Sequence, residues 1–155
     1  MDVNENRQDT AAELYAEVRR SSVMGIESIL TLMPKIECDE LKSDMTAQMN
    51  GYGLFRERAE SGLSLCNAEA EKEKASKVLA ARMGIAAETI LDTSSSHIAE
   101  LMIRGSGADI ISITRAQNKA THGPSRISQD DSAYALASDI IDFENQSIDR
   151  MKKYL

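Results

Sequence analysis

The sequence has no tryptophan, two phenylalanines, two prolines and two cysteines among its 155 residues. β-Branched and aromatic runs are scarce, which argues against strands. So few prolines leave long helices uninterrupted. If Cys38 and Cys66 ride one helix, as the pattern below suggests, they stand roughly 42 Å apart. A disulfide needs Cα atoms within about 7 Å, so both thiols are expected free, as in a reducing cytoplasm. No run approaches the about 18 apolar residues of a membrane span. The first ten residues are polar and acidic, unlike a secretion signal.

Positive charge is also short. The formal net charge is −7, and no basic stretch exceeds Arg19-Arg20 or Lys152-Lys153. A nucleic-acid binder needs a basic face, so no nucleic-acid partner is expected. No Gly-x-Gly-x-x-Gly or Walker loop is present. Gly105-Ser106-Gly107 is too short to cradle phosphate. Neither cysteine has a second at zinc spacing, and there is no nucleophile elbow.

What is present is helix-forming sequence. Alanine, leucine, methionine, glutamate, lysine and arginine dominate, and all lose little freedom in a helix. Of the residues, 42% are hydrophobic, enough for one domain of this length to bury a core without cross-links. Asp9-Thr10 supplies cap chemistry for a first helix, leaving residues 1–8 irregular. Leu14, Val18, Ile26, Ile29 and Met33 follow at helical spacing, and Pro34 closes it. Ser21, Ser22 and Gly25 beside that stripe invite close approach by another helix.

Asp39 is the expected cap of a second helix with the seam Leu41, Met45, Gln48, Tyr52, Phe55, Ala59 and Leu63. Gly51 and Gly53 mark either a kink or a close approach. Residues 67–77 read as a solvated, charged stretch. A further helical pattern runs through Val78, Leu79, Met83, Ala86 and Ile90. Serine and threonine at 93–96 compete for backbone hydrogen bonds and favour a break. A third seam then takes His97, Leu101, Gly105, Ala108 and Ile111, with Arg104 alongside. Residues 121–128, with His122-Gly123-Pro124, read as a loop. Asp130-Asp131-Ser132 caps a last helix with the stripe Ala133, Leu136, Ile140, Phe143, Glu144, Ser147, Met151 and Tyr154. The fold expected is an all-α, antiparallel four-helix bundle with an extra or bent helical segment in the middle.

Spacing at 100° per residue aims Gln48, His97 and Glu144 inward, with Tyr52 one turn from Gln48 and Glu100 one turn from His97. The first reading of each is a hydrogen-bonded polar group in a core. Gln48 and Tyr52 read as partners between helices, and Glu144 as the partner of Arg104.

Inward glutamate and histidine in a four-helix outline resemble the ferritin-like superfamily. The stretches HIAELMIRGS and DFENQSIDRMKKYL also resemble uncharacterised bacterial helical-bundle proteins. The superfamily's di-metal sites use Glu-x-x-His pairs, because carboxylate and imidazole suit iron or manganese. Here the spacing occurs reversed, as His97-x-x-Glu100, and Glu27 falls opposite its helix's apolar stripe. The resemblance implies a reduced metal set of His97, Glu100 and Glu144, with Gln48, Tyr52 and Arg104 around it. Two classes of function follow. The favoured one is a non-enzymatic structural or protein-interaction bundle without cofactor. The alternative is an iron or manganese redox protein. A homodimer through the first or middle helices suits a bundle of this size.

Overall fold

A computed structural model describes residues 2–68, 84–85 and 92–155. Among the described residues the chain forms four long helices and no strand. Here they are α1 (Val3–Leu32), α2 (Asp39–Leu65), α3 (Ser95–His122) and α4 (Ser132–Met151). The helical pattern expected from Val78 to Ile90, apart from residues 84–85, lies outside the described residues.

Helix boundaries follow local chemistry. α1 starts at Val3 rather than after Thr10. The Asp2 carboxylate accepts from the Asn4 amide, and Glu5 stands in the positive first turn. Thr10, expected as a cap, turns its hydroxyl back onto the Asn6 carbonyl at 3.0 Å, the habit of a threonine inside a helix. The residues expected to be irregular before it are therefore helical from Val3 to Gln8. At the far end Pro34 sits in a single 3₁₀ turn, Met33–Lys35, where its missing N–H ends the helix.

α2 begins at Asp39 itself; Cys38 holds the cap position without a side-chain bond. Its exit uses a residue that tolerates left-handed backbone. Asn67 has φ 54°, while the Asn67 amide donates to Ser64 and the Ala68 amide to Leu63, a Schellman closure. The break expected at 93–96 is the start of α3. The Asp92 carboxylate accepts from the Ser94 amide at 2.8 Å, and the Ser94 hydroxyl accepts from the His97 amide at 3.2 Å. Asp131 caps α4 through the Ala133 amide at 2.8 Å.

α1 packs along α2, and α3 along α4; α1 also touches α3 and α4, and α2 touches α4. The four helices thus stand at the corners of a rhombus, with α2 and α3 farthest apart. Two apolar cores lie along its length. One gathers Leu14, Val18, Leu63, Ile113, Leu136 and Ile140. The other gathers Ile29, Leu32, Leu41, Met45, Ile98, Met102 and Met151. On three helices a buried polar group separates the cores: Ser21 and Ser22 on α1, Ser106 on α3, Glu144 on α4. Both cysteines are free. No helix among the described residues is long and apolar enough to cross a membrane.

Close approach explains Gly25 and Gly51, as it does Gly62 against the Tyr15 ring. A Cβ on Gly25 would stand 2.5 Å from the Tyr52 ring, and one on Gly51 would run into Phe143. Gly53 has open space around it, so it serves neither contact. Gly25→Ala is expected to destabilise by about 1–3 kcal/mol through overpacking, despite alanine's better helix propensity. Gly53→Ala should instead stabilise by about 1 kcal/mol. Urea titration of the two variants checks both signs.

Candidate functional site

The polar layer centres on one phenol. Tyr52 is 2% exposed, and Gln48 and Glu144 are fully buried. The Tyr52 hydroxyl donates to Glu144 Oε2 at 2.9 Å and accepts from Gln48 Nε2 at 3.2 Å. Its ring lies edge-on to Phe143, centroids 5.2 Å apart and planes at 77°. The Gly25 notch receives the other side. An α2 side chain is thus bonded to α4 and seated in α1.

Burial raises the Glu144 carboxyl to about 7. The Ser106 hydroxyl beside it opposes that rise, the charge of Asp109 adds to it, and the Tyr52 hydroxyl opposes it again. Tyr52 is driven well above the ordinary phenol range, first by burial and then by the Glu144 and Asp109 charges; it keeps its proton. Asp109 is raised to about 6 by burial, against the pull of Ser21 and Arg20 and with the push of Glu17. Arg20 donates to Glu17 at 2.6 Å and to Ser112 at 3.3 Å, and it stands 3.8 Å from Asp109. The Ser112 hydroxyl also donates to Glu17. Gln48 Oε1 and His97 Nε2 are buried and complete no hydrogen bond, while Glu144 Oε1 and Ser21 Oγ, also buried, lie near Ser106 and Asp109 without closing a well-formed one.

The structure brings Gln48, Tyr52 and Glu144 together, but only the Tyr52–Glu144 bond joins two helices; Gln48, expected to bond between helices, bonds to Tyr52 within α2. It does not assemble His97, Glu100 and Glu144. His97 lies in the first turn of α3, with Nδ1 3.8 Å from Glu100 Oε2, and Glu100 is exposed. Glu144 stands instead beside Ser106, roughly two and a half turns further along α3, or about 13 Å of helix rise. Among the described residues no three His, Cys, Asp or Glu side chains converge to hold a metal ion. Arg104 does not pair with Glu144 either. Its side chain is exposed, 3.8 Å from Glu100.

The corrections on α3 have one cause. The α3 seam expected from the sequence, Leu101, Gly105, Ala108 and Ile111, lies one position before the buried one. The buried face is Ile98, Met102, Ser106, Ile113, Gln117 and Ala120, while Gly105 is exposed and Ile111 is 53% exposed. A shift of one residue turns a helix face by 100°. That shift sends Arg104 to solvent and carries Ser106 and Asp109 inward. Sequence reasoning missed Ser21 as a polar group, along with Ser106, Asp109 and Arg20. The available signal was the spacing of Met102, Ser106, Asp109 and Ile113, which is itself heptad-like.

Comparison with protein-family models, with curated proteins and with solved structures gives no match for this chain.

Proposed function

We propose that this protein is a non-enzymatic structural or protein-interaction bundle, antiparallel and ferritin-like in outline, whose buried polar groups fix how its helices pack. The observation that carries this reading is the Tyr52–Glu144 hydrogen bond, closed between α2 and α4 with both groups out of water. A buried pair of this kind adds little net stability compared with apolar side chains of the same size. It penalises alternatives instead. Sliding α4 by one turn along α2 would leave a buried carboxyl and a buried phenol unpaired, at about 1–3 kcal/mol each. One packing is then strongly preferred over its neighbours.

Replacing both groups with apolar ones separates specificity from stability. Tyr52→Phe with Glu144→Leu, which keeps the ring in the Gly25 notch and against Phe143, is expected to keep the helical circular dichroism and the melting temperature close to those of the natural protein. Its amide NMR spectrum should show broadened or doubled resonances, as expected of a bundle that no longer prefers one register. A single sharp set of resonances in the double variant would count against the proposal.

A further inference from the structure

The buried polar layer lies along a seam between two helix pairs. α1 and α2 are joined by Arg19 to Glu60 at 3.1 Å, by the Tyr52 ring against Gly25 and by the Tyr15 ring against Gly62. α3 and α4 are joined by Gln117, whose Nε2 donates to the Tyr134 carbonyl at 3.2 Å and to the Ser138 hydroxyl at 2.8 Å. Glu144 and Asp109 both belong to the α3–α4 pair, and both face the other pair. Glu144 meets Tyr52 of α2, and Asp109 meets Ser21 and Arg20 of α1.

This layer cannot balance its own charge once its carboxyls ionise. Among the described residues the titratable groups that face Glu144 and Asp109 are Glu17 and Arg20 from α1, Tyr52 from α2, and each other across α3 and α4. Of these Arg20 is the cation. It donates to Glu17 and to Ser112 and stands 3.8 Å from Asp109. Glu144 is left with the hydroxyls of Tyr52 and Ser106. An enclosed carboxylate without a cation is costly, and access to water relieves it. Elsewhere the seam is crossed by Glu13–Lys119, Arg58–Asp139 and Glu40–Lys153, all exposed. Pairs of that kind hold weakly, and they keep their charges from about pH 5 to pH 8.

We infer that this seam is a proton-operated joint: the two helix pairs stay closed on each other while Glu144 is protonated, and part far more often once it ionises, so that water reaches the carboxylate. The helices remain packed within each pair. The joint rests on the enclosure of Glu144, as the register reading above does, but does not require that the Tyr52–Glu144 bond select one register.

Trapping of a buried thiol tests this. Ala137→Cys, in a chain with Cys38→Ser and Cys66→Ser, places a thiol on the Glu144 face of α4, about two turns away. Ala137 is fully buried in a core that the seam runs through. The rate of reaction with dithiodipyridine, relative to the same thiol in the urea-unfolded chain at the same pH, reads the fraction of time the joint is open. Glu144 keeps its proton to about 7 when enclosed, against 4.5 ordinarily. The relative rate should therefore rise about tenfold or more between about pH 5.5 and pH 7.5. Asp109, raised to about 6, adds to the rise. Glu144→Gln should remove most of it. Trapping should depend on urea far less steeply than global unfolding does, because only the seam is exposed. Should the Ala137→Cys chain not fold, Ala59→Cys reads the same seam from α2, buried about two turns from Tyr52. The inference is overturned by a relative rate that does not change with pH, or by a rise that survives Glu144→Gln in full. Trapping with the full urea dependence of global unfolding also overturns it. None of these outcomes bears on the resonances of the double variant, which decide the register reading separately.

Discussion

Tyr52→Ala is expected to cost about 4 kcal/mol, as large a loss as a single buried aromatic residue gives. Three losses coincide at this position. The ring leaves the Gly25 notch and opens a void between α1 and α2. The edge-on contact with Phe143 goes with it. The Glu144 carboxyl loses its hydroxyl partner while remaining buried, and an unpaired buried acceptor is itself costly. Tyr52→Phe keeps the ring and removes only the hydroxyl, with its bonds to Glu144 and Gln48, and should cost only about 1–2 kcal/mol. Equilibrium urea unfolding of both variants measures the difference. A cost for Tyr52→Ala no larger than that for Tyr52→Phe would mean that the ring is not packed as described.

Thermal stability should fall as pH rises from mildly acidic to mildly basic, the reverse of the usual behaviour of paired carboxylates. Glu144 rises from 4.5 to about 7 on folding, and Asp109 from 3.8 to about 6. In both cases the folded chain holds its proton more tightly than the unfolded chain. The stabilisation is therefore complete below the unfolded values and is lost as pH climbs through 6 and 7. The Glu144 shift corresponds to about 3 kcal/mol. Asp109 contributes less than its shift alone suggests, because its side chain is 17% exposed. For a domain of this size, the sum lowers the melting temperature by on the order of 10 °C between about pH 5 and pH 8.

Asp44 works in the other direction. Burial pushes its carboxyl up, but bonds from Lys153 and Tyr154 outweigh that and hold it below its ordinary value. Its contribution is present above 3.8, the ordinary value, and is lost only in stronger acid. Stability should therefore peak at about pH 4–5. Glu144→Gln keeps an acceptor for Tyr52 and removes the titration, so its melting profile should be flatter. A melting temperature that rises from about pH 5 to pH 8 in the natural protein would contradict the enclosed position of Glu144.

The apolar periodicity made most of the architecture legible. Leu14, Val18 and Ile29 on α1, Leu41 to Leu63 on α2, and Ala133 to Met151 on α4 are the faces that pack. Gln48, Tyr52 and Glu144 were legible for the same reason, because each interrupts an otherwise apolar stripe. α3 was not. Its inward face carries Ser106 and Asp109 in the middle, so the neighbouring face of Leu101, Ala108 and Ile111 looked more apolar than the face that is buried. The reduced metal set takes His97 and Glu100 from the start of that face and Glu144 from α4; His97 keeps a buried Nε2, but Glu100 is exposed and Glu144 stands beside Ser106. The start of α1 failed for a different reason. Two polar residues with cap chemistry, Asp2 and Asp9, compete there, and helical backbone needs no apolar stripe to extend through residues 3–8.

Carbon-13 NMR titration of the Glu144 side-chain carboxyl tests the central claim most directly. Enclosure between Tyr52, Ser106 and Asp109 predicts a midpoint near 7, displaced upward in Tyr52→Phe, where the hydroxyl that favours the ionised form is gone. A midpoint at the ordinary glutamate value, unmoved by Tyr52→Phe, would show a solvated carboxyl and contradict the buried polar layer on which the proposed function rests.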